Sequence, residues 1–232
     1  MFMNKPIAFA LLSIFIISCD LRDNTEYLSD SEIEQLSNEI PKEIIINISK
    51  ECRTNPVAMT VNRMKYDVDT NTAFVQYDSL VPGIQFKFIS DELARQLWNE
   101  FHDEVSQYGY YLYLKNLDYD KKWNVYYDIA IVKTHNQFDL LKLVKTSAPN
   151  NKPGNLQIIS KLKEWNAQSS FQLIVADNDR IEAVFLDFPS DTKSFCMAVD
   201  SFSPNVINNG YGSLEDMIMD FTSKQYFWMW WK

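Results

Sequence analysis

The sequence predicts an α+β fold, in which several amphipathic helices pack on a mixed or antiparallel sheet. Runs of β-branched and aromatic residues alternate with helical apolar patterns, but without the regular period of a βαβ protein. Apolar residues make up 46% of the 232-residue chain and aromatic residues 14%, which is ample for a folded core. The chain shows no internal repeat, so a repeat architecture is not predicted.

The N-terminus has the parts of a bacterial secretory signal peptide. A short positive region precedes an apolar run from Ile7 to Ile17. This run is shorter than the about 20 residues that a membrane-spanning helix needs. The stretch Ile16–Cys19 resembles the lipobox, whose cysteine is lipidated and becomes the first residue of the mature chain. We therefore expect removal of residues 1–18 and a lipid on Cys19, which would hold the domain outside the cytoplasm at the cell membrane or the outer membrane. The alternative is a plain secreted protein.

The segment after the signal peptide is predicted to contain a tether and a β-rich part. Residues 19–30 are polar and acidic, which is typical of a tether between a lipid and a fold. Residues 31–89 are predicted to open with a capped short helix that ends near Pro41. Strand candidates follow at 43–48, 57–62, 64–68, 72–77 and 84–89. Pro82-Gly83 is predicted to break the chain before the last of them.

Residues 90–232 are predicted to form the α+β part. Apolar residues recur at helical spacing in five segments, which begin after Ser90, at Phe138, after Asn155, at Ser190 and at Ser213. Trp165 falls on the apolar face of the third of these helices and is predicted to be buried. Strands are predicted at 110–114, 125–133, 171–176, 181–188 and 226–231. The last strand is apolar on both faces, as expected for a strand covered on both sides.

The charge of the chain limits its partners. The chain has 31 acidic and 22 basic residues and a formal charge of −9. No cluster of lysine and arginine offsets this charge, so nucleic acid is not an expected partner. The partners that the sequence favours are the membrane, through the N-terminal lipid, and a basic protein.

Cysteine and histidine are too sparse to indicate a metal site. Cys52 and Cys196 remain beside Cys19, and separate core thiols are favoured over the alternative of a disulfide. His102 and His135 add no short spacing of metal ligands to these cysteines, so neither a metal nor a cofactor is predicted.

The sequence contains no recognised catalytic motif. It has no G-x-S-x-G, no phosphate-binding glycine loop that ends in Lys-Ser/Thr, and no H-E-x-x-H. No catalytic residue is therefore assigned. The candidate functional residues are Glu164, Trp165, Asp177, Asp179 and His135. The two aspartates are predicted to lie in a hairpin turn, where water would keep their pKa values ordinary.

Several ordered blocks in the C-terminal part carry a family resemblance. They are Lys161–Trp165, Phe171–Ile174, Ala176–Asp179, Phe188-Pro189, Phe202–Asn205, Asn209-Gly210 and Trp230-Trp231. Their order resembles the family called domain of unknown function 4253, over about residues 132–232. The resemblance implies fold and extent and no particular activity.

The chain departs from the family pattern at three places. The family's Cys-Pro-Asp is Ser203-Pro204-Asn205 here, its glutamine before glycine is Asn209, and its terminal aspartate is Lys232. If the family builds an acid–base site from these blocks, this chain should lack it.

Three functions agree with these observations. The first is a non-enzymatic, lipid-anchored protein-binding module, which includes protective or inhibitor-like proteins. The alternative is a hydrolase or transferase that uses Glu164, Asp177 or Asp179 with His135. A purely structural protein of the envelope is the third.

The lipid anchor gives a direct prediction. Cys19→Ala removes the only thiol that the lipobox can modify, so the variant should accumulate as unprocessed or soluble protein. Fractionation of cells and mass spectrometry of the N-terminus measure both outcomes. An unmodified cysteine at the wild-type N-terminus would contradict the anchor.

Overall fold

One mixed sheet of seven strands lies at the centre of the fold in the computed structural model, which describes residues 39–66, 74–148 and 152–231. Six α-helices in these ranges pack on the sheet, which confirms the α+β class. The signal peptide, Cys19, the predicted tether and most of the predicted first helix lie outside the described residues. None of the described helices is long and apolar enough to span a bilayer.

The helices and strands alternate along the chain without a regular period. The strands are β1 (Val57–Tyr66), β2 (Phe74–Ser90), β3 (Tyr110–Tyr119), β4 (Val125–Lys133), β5 (Phe171–Ala176), β6 (Arg180–Phe185) and β7 (Tyr226–Trp230). The helices are α1 (Lys42–Cys52), α2 (Asp91–Ser106), α3 (Gln137–Val144), α4 (Asn155–Asn166), α5 (Thr192–Phe202) and α6 (Leu214–Lys224), with a π-helical turn at Ile207–Tyr211.

A single parallel pairing joins two antiparallel groups of strands. The strand order is β1-β2-β4-β3-β5-β6-β7, and every neighbouring pair is antiparallel except β3 and β5. These two strands meet only at Leu114 and Val175. Because they are parallel, the chain crosses from one to the other through β4, α3 and α4.

Helices cover both faces of the sheet. Along β3 the side chains alternate, so that Tyr111 and Tyr113 pack in one apolar cluster and Leu112 and Leu114 in the other. The first cluster contains residues of α3 to α6, and the second contains residues of α1 and α2. Cys52 packs against the second cluster and Cys196 lies in the first, and both thiols are free.

The first half of the chain differs most from the prediction. The predicted strand at 43–48 lies in α1, because Ile44, Ile45 and Ile48 are buried at helical spacing. Burial against the second cluster therefore outweighs the β-propensity of these isoleucines.

Pro82-Gly83 does not break the chain either, and β2 continues through it. The register between β1 and β2 shifts between Ala58 and Thr60, and this bulge accommodates the proline. A Cβ on Gly83 would lie 2.6 Å from the Ile131 carbonyl oxygen, so only glycine fits this close approach.

The second half of the chain agrees better with the predicted helices and strands. The strands at 125–133 and 171–176 and the helix at 138–144 are confirmed, with ends that differ by at most one residue. Helix α5 begins at Thr192 and is capped by Asp191 rather than by Ser190. Strand β6 ends at Phe185, before the predicted Phe188. The last strand, β7, is buried on one face only, because Trp228 and Trp230 on its other face are half-buried beside a cleft.

The burial of Trp165 is confirmed, and it gives a prediction for stability. Its side chain is 4% exposed and contacts Phe195, Phe202 and Phe227. Trp165→Ala should lower the free energy of unfolding by about 3–5 kcal/mol in a denaturant titration. Leu156→Ala on the same helix is the control, because Leu156 is 75% exposed. Equal unfolding midpoints for the two variants would contradict the assigned face.

Candidate functional site

A cleft of about 1330 Å³ opens at the end of the sheet where the carboxyl ends of β3 and β5 meet. Its lining comes from strands on both sides of this junction: β1, β2, β3 and β4 from one group, and β6, β7 and the turn before β6 from the other. In open, mostly parallel α/β sheets, ligands bind in the crevice at the carboxyl ends of strands where the direction of chain connection changes, and the parallel β3–β5 contact gives this mixed sheet a comparable junction. The position of the cleft therefore makes it the candidate site.

Two bulges shape the floor of the cleft. The register of β2 against β4 shifts between Phe86 and Ile89, and that of β3 against β4 shifts between Lys115 and Asp118. Phe88 has φ 59° and Asn116 has φ 53°, so each bulge contains a non-glycine residue in the left-handed region. Such residues are uncommon and cost energy, and they persist only where neighbouring groups hold them.

The carboxylate of Asp128 holds both bulges. Its Oδ1 accepts a hydrogen bond from the Phe88 backbone N at 2.9 Å, and its Oδ2 accepts one from Asn116 Nδ2 at 2.8 Å. On the other side, the Asn116 backbone N donates to Asp177 Oδ2 at 2.7 Å. Burial raises the pKa of Asp128, although these hydrogen bonds and the positive charge of Lys115 oppose the rise.

The turn after β5 carries the predicted aspartates, and their environment differs from the expectation. Asp177 N donates to Arg180 O at 2.8 Å, so the predicted turn is present. However, burial raises the pKa of both Asp177 and Asp179, and the expectation of ordinary pKa values was wrong. The physical reason is that the turn packs between the Asn116 bulge and Trp230, which removes part of the water around the two half-buried carboxylates.

The inner end of the cleft contains a buried lysine and a buried glutamine. Lys115 Nζ donates to the Thr60 carbonyl oxygen and to Gln85 Oε1, the latter at 3.0 Å. Gln85 Oε1 also accepts from the Thr60 backbone N at 3.2 Å. Gln85 Nε2, by contrast, is buried without a hydrogen-bond partner in the described part of the chain. A buried donor in this state is unfavourable and calls for an explanation.

A buried ion network supports the opposite wall. Glu182 is 2% exposed, and it accepts hydrogen bonds from Arg95 at 2.7 Å, from Arg180 at 2.6 Å and from Tyr127 at 3.0 Å. Burial would raise the pKa of Glu182, but the charges of Arg180 and Arg95 outweigh burial and lower it. The Arg180 guanidinium lies over the Trp228 ring at 5.4 Å. The network thus orients the side chains of Arg180 and Tyr127, which line the cleft.

Aromatic side chains form the rim of the cleft. Phe88 and Tyr126 stack with ring centroids 4.0 Å apart, and Tyr119 meets Trp123 edge-on at 6.0 Å. Trp123 is 80% exposed, and Phe88 and Tyr119 are about half exposed. Exposed aromatic residues grouped at a cleft are typical of a contact surface for a ligand or partner.

The structure brings only some of the predicted residues to the cleft. Asp177 and Asp179 line it. Glu164 is exposed and pairs with Lys161 at 2.8 Å, Trp165 lies in the core, and His135 is exposed at the end of β4. None of these three residues lines the cleft.

The structure also gives the positions of His102 and of the residues at two of the three family departures. His102 is buried beside Gln172, away from the cleft lining. The Ser203 hydroxyl is buried and donates to the Trp230 carbonyl oxygen, and Asn209 lines the cleft. Lys232 lies outside the described residues.

Sequence reasoning missed Gln85, Asn116 and Asp128. No motif marks these residues, since each acts through a bulge or through burial. The available signal was a polar residue within an otherwise apolar strand, as with Asp128 in the run VYYDIAIVK. In the described residues, no group of three or more His, Cys, Asp and Glu side chains is placed to hold a metal ion.

The fold and site define an α+β domain with a polar cleft at the junction of two antiparallel groups. Residues 128–232 match the model of the family described as Domain of unknown function (DUF4253), which confirms the resemblance for the C-terminal part. The match begins at Asp128 and includes the β5–β7 side of the cleft, while Gln85 and Asn116 precede it. No curated protein and no solved structure is detectably similar to the chain.

The ion network gives a prediction for stability. Glu182→Gln removes the buried anion that Arg95 and Arg180 share, which leaves the half-buried Arg180 without its ion pair, and should cost about 3 kcal/mol at neutral pH. Because the folded pKa of Glu182 is lowered from 4.5, this contribution is present above pH 4.5 and is lost as the pH falls through the folded pKa. Urea titrations at several pH values measure both effects.

The control for this variant is Asp91→Asn. Asp91 pairs with the same Arg95 but is 41% exposed, so its loss should cost less than about 1 kcal/mol. An equal loss of unfolding free energy in the two variants would contradict the larger contribution assigned to the buried Glu182.

Proposed function

We propose that this protein is a lipid-anchored binding module of the cell envelope, and that its cleft binds a cationic segment of a basic protein partner. The observation that carries the proposal is the presence of several desolvated carboxylates and an exposed aromatic rim in one cleft. The lipid on Cys19 would hold the module at a membrane, and residues 19–30 would act as its tether.

The charges of the lining favour a cation. Among the described lining residues four are aspartates, at 118, 128, 177 and 179, and two are cationic, Lys87 and Arg180. Lys115, which is buried at the inner end of the cleft, is a third cation, so the acidic groups still outnumber the basic ones. Arg180 already pairs with the buried Glu182. A positive group that enters the cleft would therefore meet a net negative environment with reduced screening, where electrostatic attraction is stronger than in water. The charge of −9 on the whole chain would steer basic partners toward it.

The shape and chemistry of the cleft suit a peptide segment better than a lipid chain. Its volume of about 1330 Å³ exceeds that of a typical small-molecule pocket. Lysine and arginine side chains have apolar stems and a charged end, so the aromatic rim can contact the stem and the ring faces can attract the cation. An acyl chain would leave the polar lining unpaired.

A hydrolase or transferase remains the second candidate, because one specific observation favours it. Burial raises the pKa of Asp128 and of Asp177, and a carboxyl group with a raised pKa can act as a general acid. Against this role, both carboxylates accept backbone hydrogen bonds that hold the bulges. The other two residues of this alternative, His135 and Glu164, do not line the cleft.

The binding function predicts that n-butylammonium, the lysine side chain without its backbone, binds in the cleft. Titration with this probe should perturb the fluorescence or the indole N–H resonances of Trp228 and Trp230. Asp179→Asn removes one lining charge and should weaken binding about tenfold, which is 1.4 kcal/mol. Glu164→Gln is the matched control, since it removes the same charge outside the cleft.

The outcomes separate a site from a general charge effect. Equal weakening in Asp179→Asn and Glu164→Gln would indicate non-specific attraction and contradict the proposal. Binding to the wild type should also weaken as the pH falls, since protonation removes the attracting charges. The loss should begin above pH 3.8, because the pKa values of Asp128, Asp177 and Asp179 are raised from it while Lys87, Lys115 and Arg180 oppose the rise.

The enzyme alternative has its own test. A capped lysine peptide recovered after incubation with the protein should have an unchanged mass by mass spectrometry. Cleavage by the wild type that disappears in Asp177→Asn, with the circular dichroism spectrum preserved, would favour the hydrolase.

A further inference from the structure

We infer that the inner end of the cleft is a second subsite, in which Gln85 Nε2 donates a hydrogen bond to an acceptor oxygen of the ligand. The inference rests on the proposed function and specifies the ligand as an extended peptide segment that contains lysine or arginine. Its basic side chain faces the aspartates, and a main-chain carbonyl oxygen meets Gln85.

The orientation of the Gln85 amide is determined by its neighbours. Oε1 accepts hydrogen bonds from Lys115 Nζ at 3.0 Å and from the Thr60 backbone N at 3.2 Å. Exchange of the amide oxygen and nitrogen would place a donor against these two donors. The unpartnered atom is therefore the nitrogen, and it can only donate.

The ligand oxygen must enter the cleft to reach this donor. Gln85 is fully buried in side-chain area, yet it belongs to the lining of the cleft. Nε2 has no acceptor within the described residues and less than 1 Å² of accessible surface, so a ligand oxygen reaches it only if the side chains at the inner end of the cleft shift slightly. A carbonyl oxygen can accept its hydrogen bond, whereas an ammonium group cannot.

The presence of two subsites indicates a peptide rather than a simple amine. Gln85 lies on β2, and Asp177 and Asp179 follow β5, which is three strands away in the order β2-β4-β3-β5. Three strand spacings separate the backbones by about 14 Å, and the side chains that enter the cleft shorten the distance between the polar groups themselves. n-Butylammonium has no carbonyl oxygen and can occupy only the acidic subsite, whereas a segment of a few residues can occupy both.

The variant that tests the subsite is Gln85→Glu. Glutamate keeps an Oε1 for Lys115 and Thr60, and it replaces the Nε2 donor by an oxygen that repels a carbonyl oxygen. The probes are n-butylammonium and a capped Gly-Lys-Gly tripeptide, titrated into the full-length protein. We expect the tripeptide to bind about tenfold more weakly to the variant, while n-butylammonium binds as well or more tightly because a negative charge is added.

Each outcome has a separate meaning. If n-butylammonium does not bind the wild type, the proposed function fails. If it binds but Gln85→Glu weakens both probes equally or neither, the proposed function stands and the subsite is wrong. The tripeptide with a free C-terminus distinguishes a chain end from an internal segment. If it binds more tightly than the capped form, the ligand group at Gln85 is a terminal carboxylate and not an internal main-chain carbonyl.

Changes in the ligand test the subsite with the wild-type protein, and they do so even if Gln85→Glu does not fold. Replacing each carbonyl of the capped tripeptide in turn by a thiocarbonyl weakens its capacity as an acceptor. At one position this change should lower affinity for the wild-type protein several-fold. Unchanged affinity at every position would overturn the inference.

Discussion

The two hydrogen bonds accepted by the Asp128 carboxylate are the interaction on which the cleft depends. They hold Phe88 and Asn116 in left-handed conformations on the strands at either side of β4. These conformations form the bulges, and the bulges divert β2 and β3 from regular pairing just where β3 leaves β5. Without this carboxylate two strained residues would lose their support. The stability of the two bulges therefore depends on the buried carboxylate of Asp128 inside the candidate site.

The same junction links the fold to its proposed function. The ladder between β3 and β5 is limited to Leu114 and Val175, next to the bulge of β3 at Asn116. Just beyond this contact the Asn116 backbone N donates to Asp177, which brings the Asp177–Arg180 turn to the cleft. The ligand site thus arises from the way in which the two groups of strands are joined, and both groups contribute to it.

Local patterns were sufficient for the second half of the fold and insufficient for the site. The helical spacing of Ile158, Leu162 and Trp165 specifies one buried face, and the structure has that face. For the isoleucines of α1 the pattern predicts a strand, because a short run of β-branched residues does not distinguish a strand from a buried helix. Asp128 could not be identified as a support for two bulges, because its partners are 40 and 12 residues away in the sequence. Desolvation of Asp177 likewise depends on tertiary packing.

The most direct test of the central claim is a map of chemical-shift changes in the protein during titration with n-butylammonium. The account predicts saturable changes at the cleft, in the indole N–H groups of Trp228 and Trp230 and in the backbone N–H of Asn116. Weak, non-saturating changes spread over exposed acids remote from the cleft, such as Glu92 and Glu164, would contradict the account.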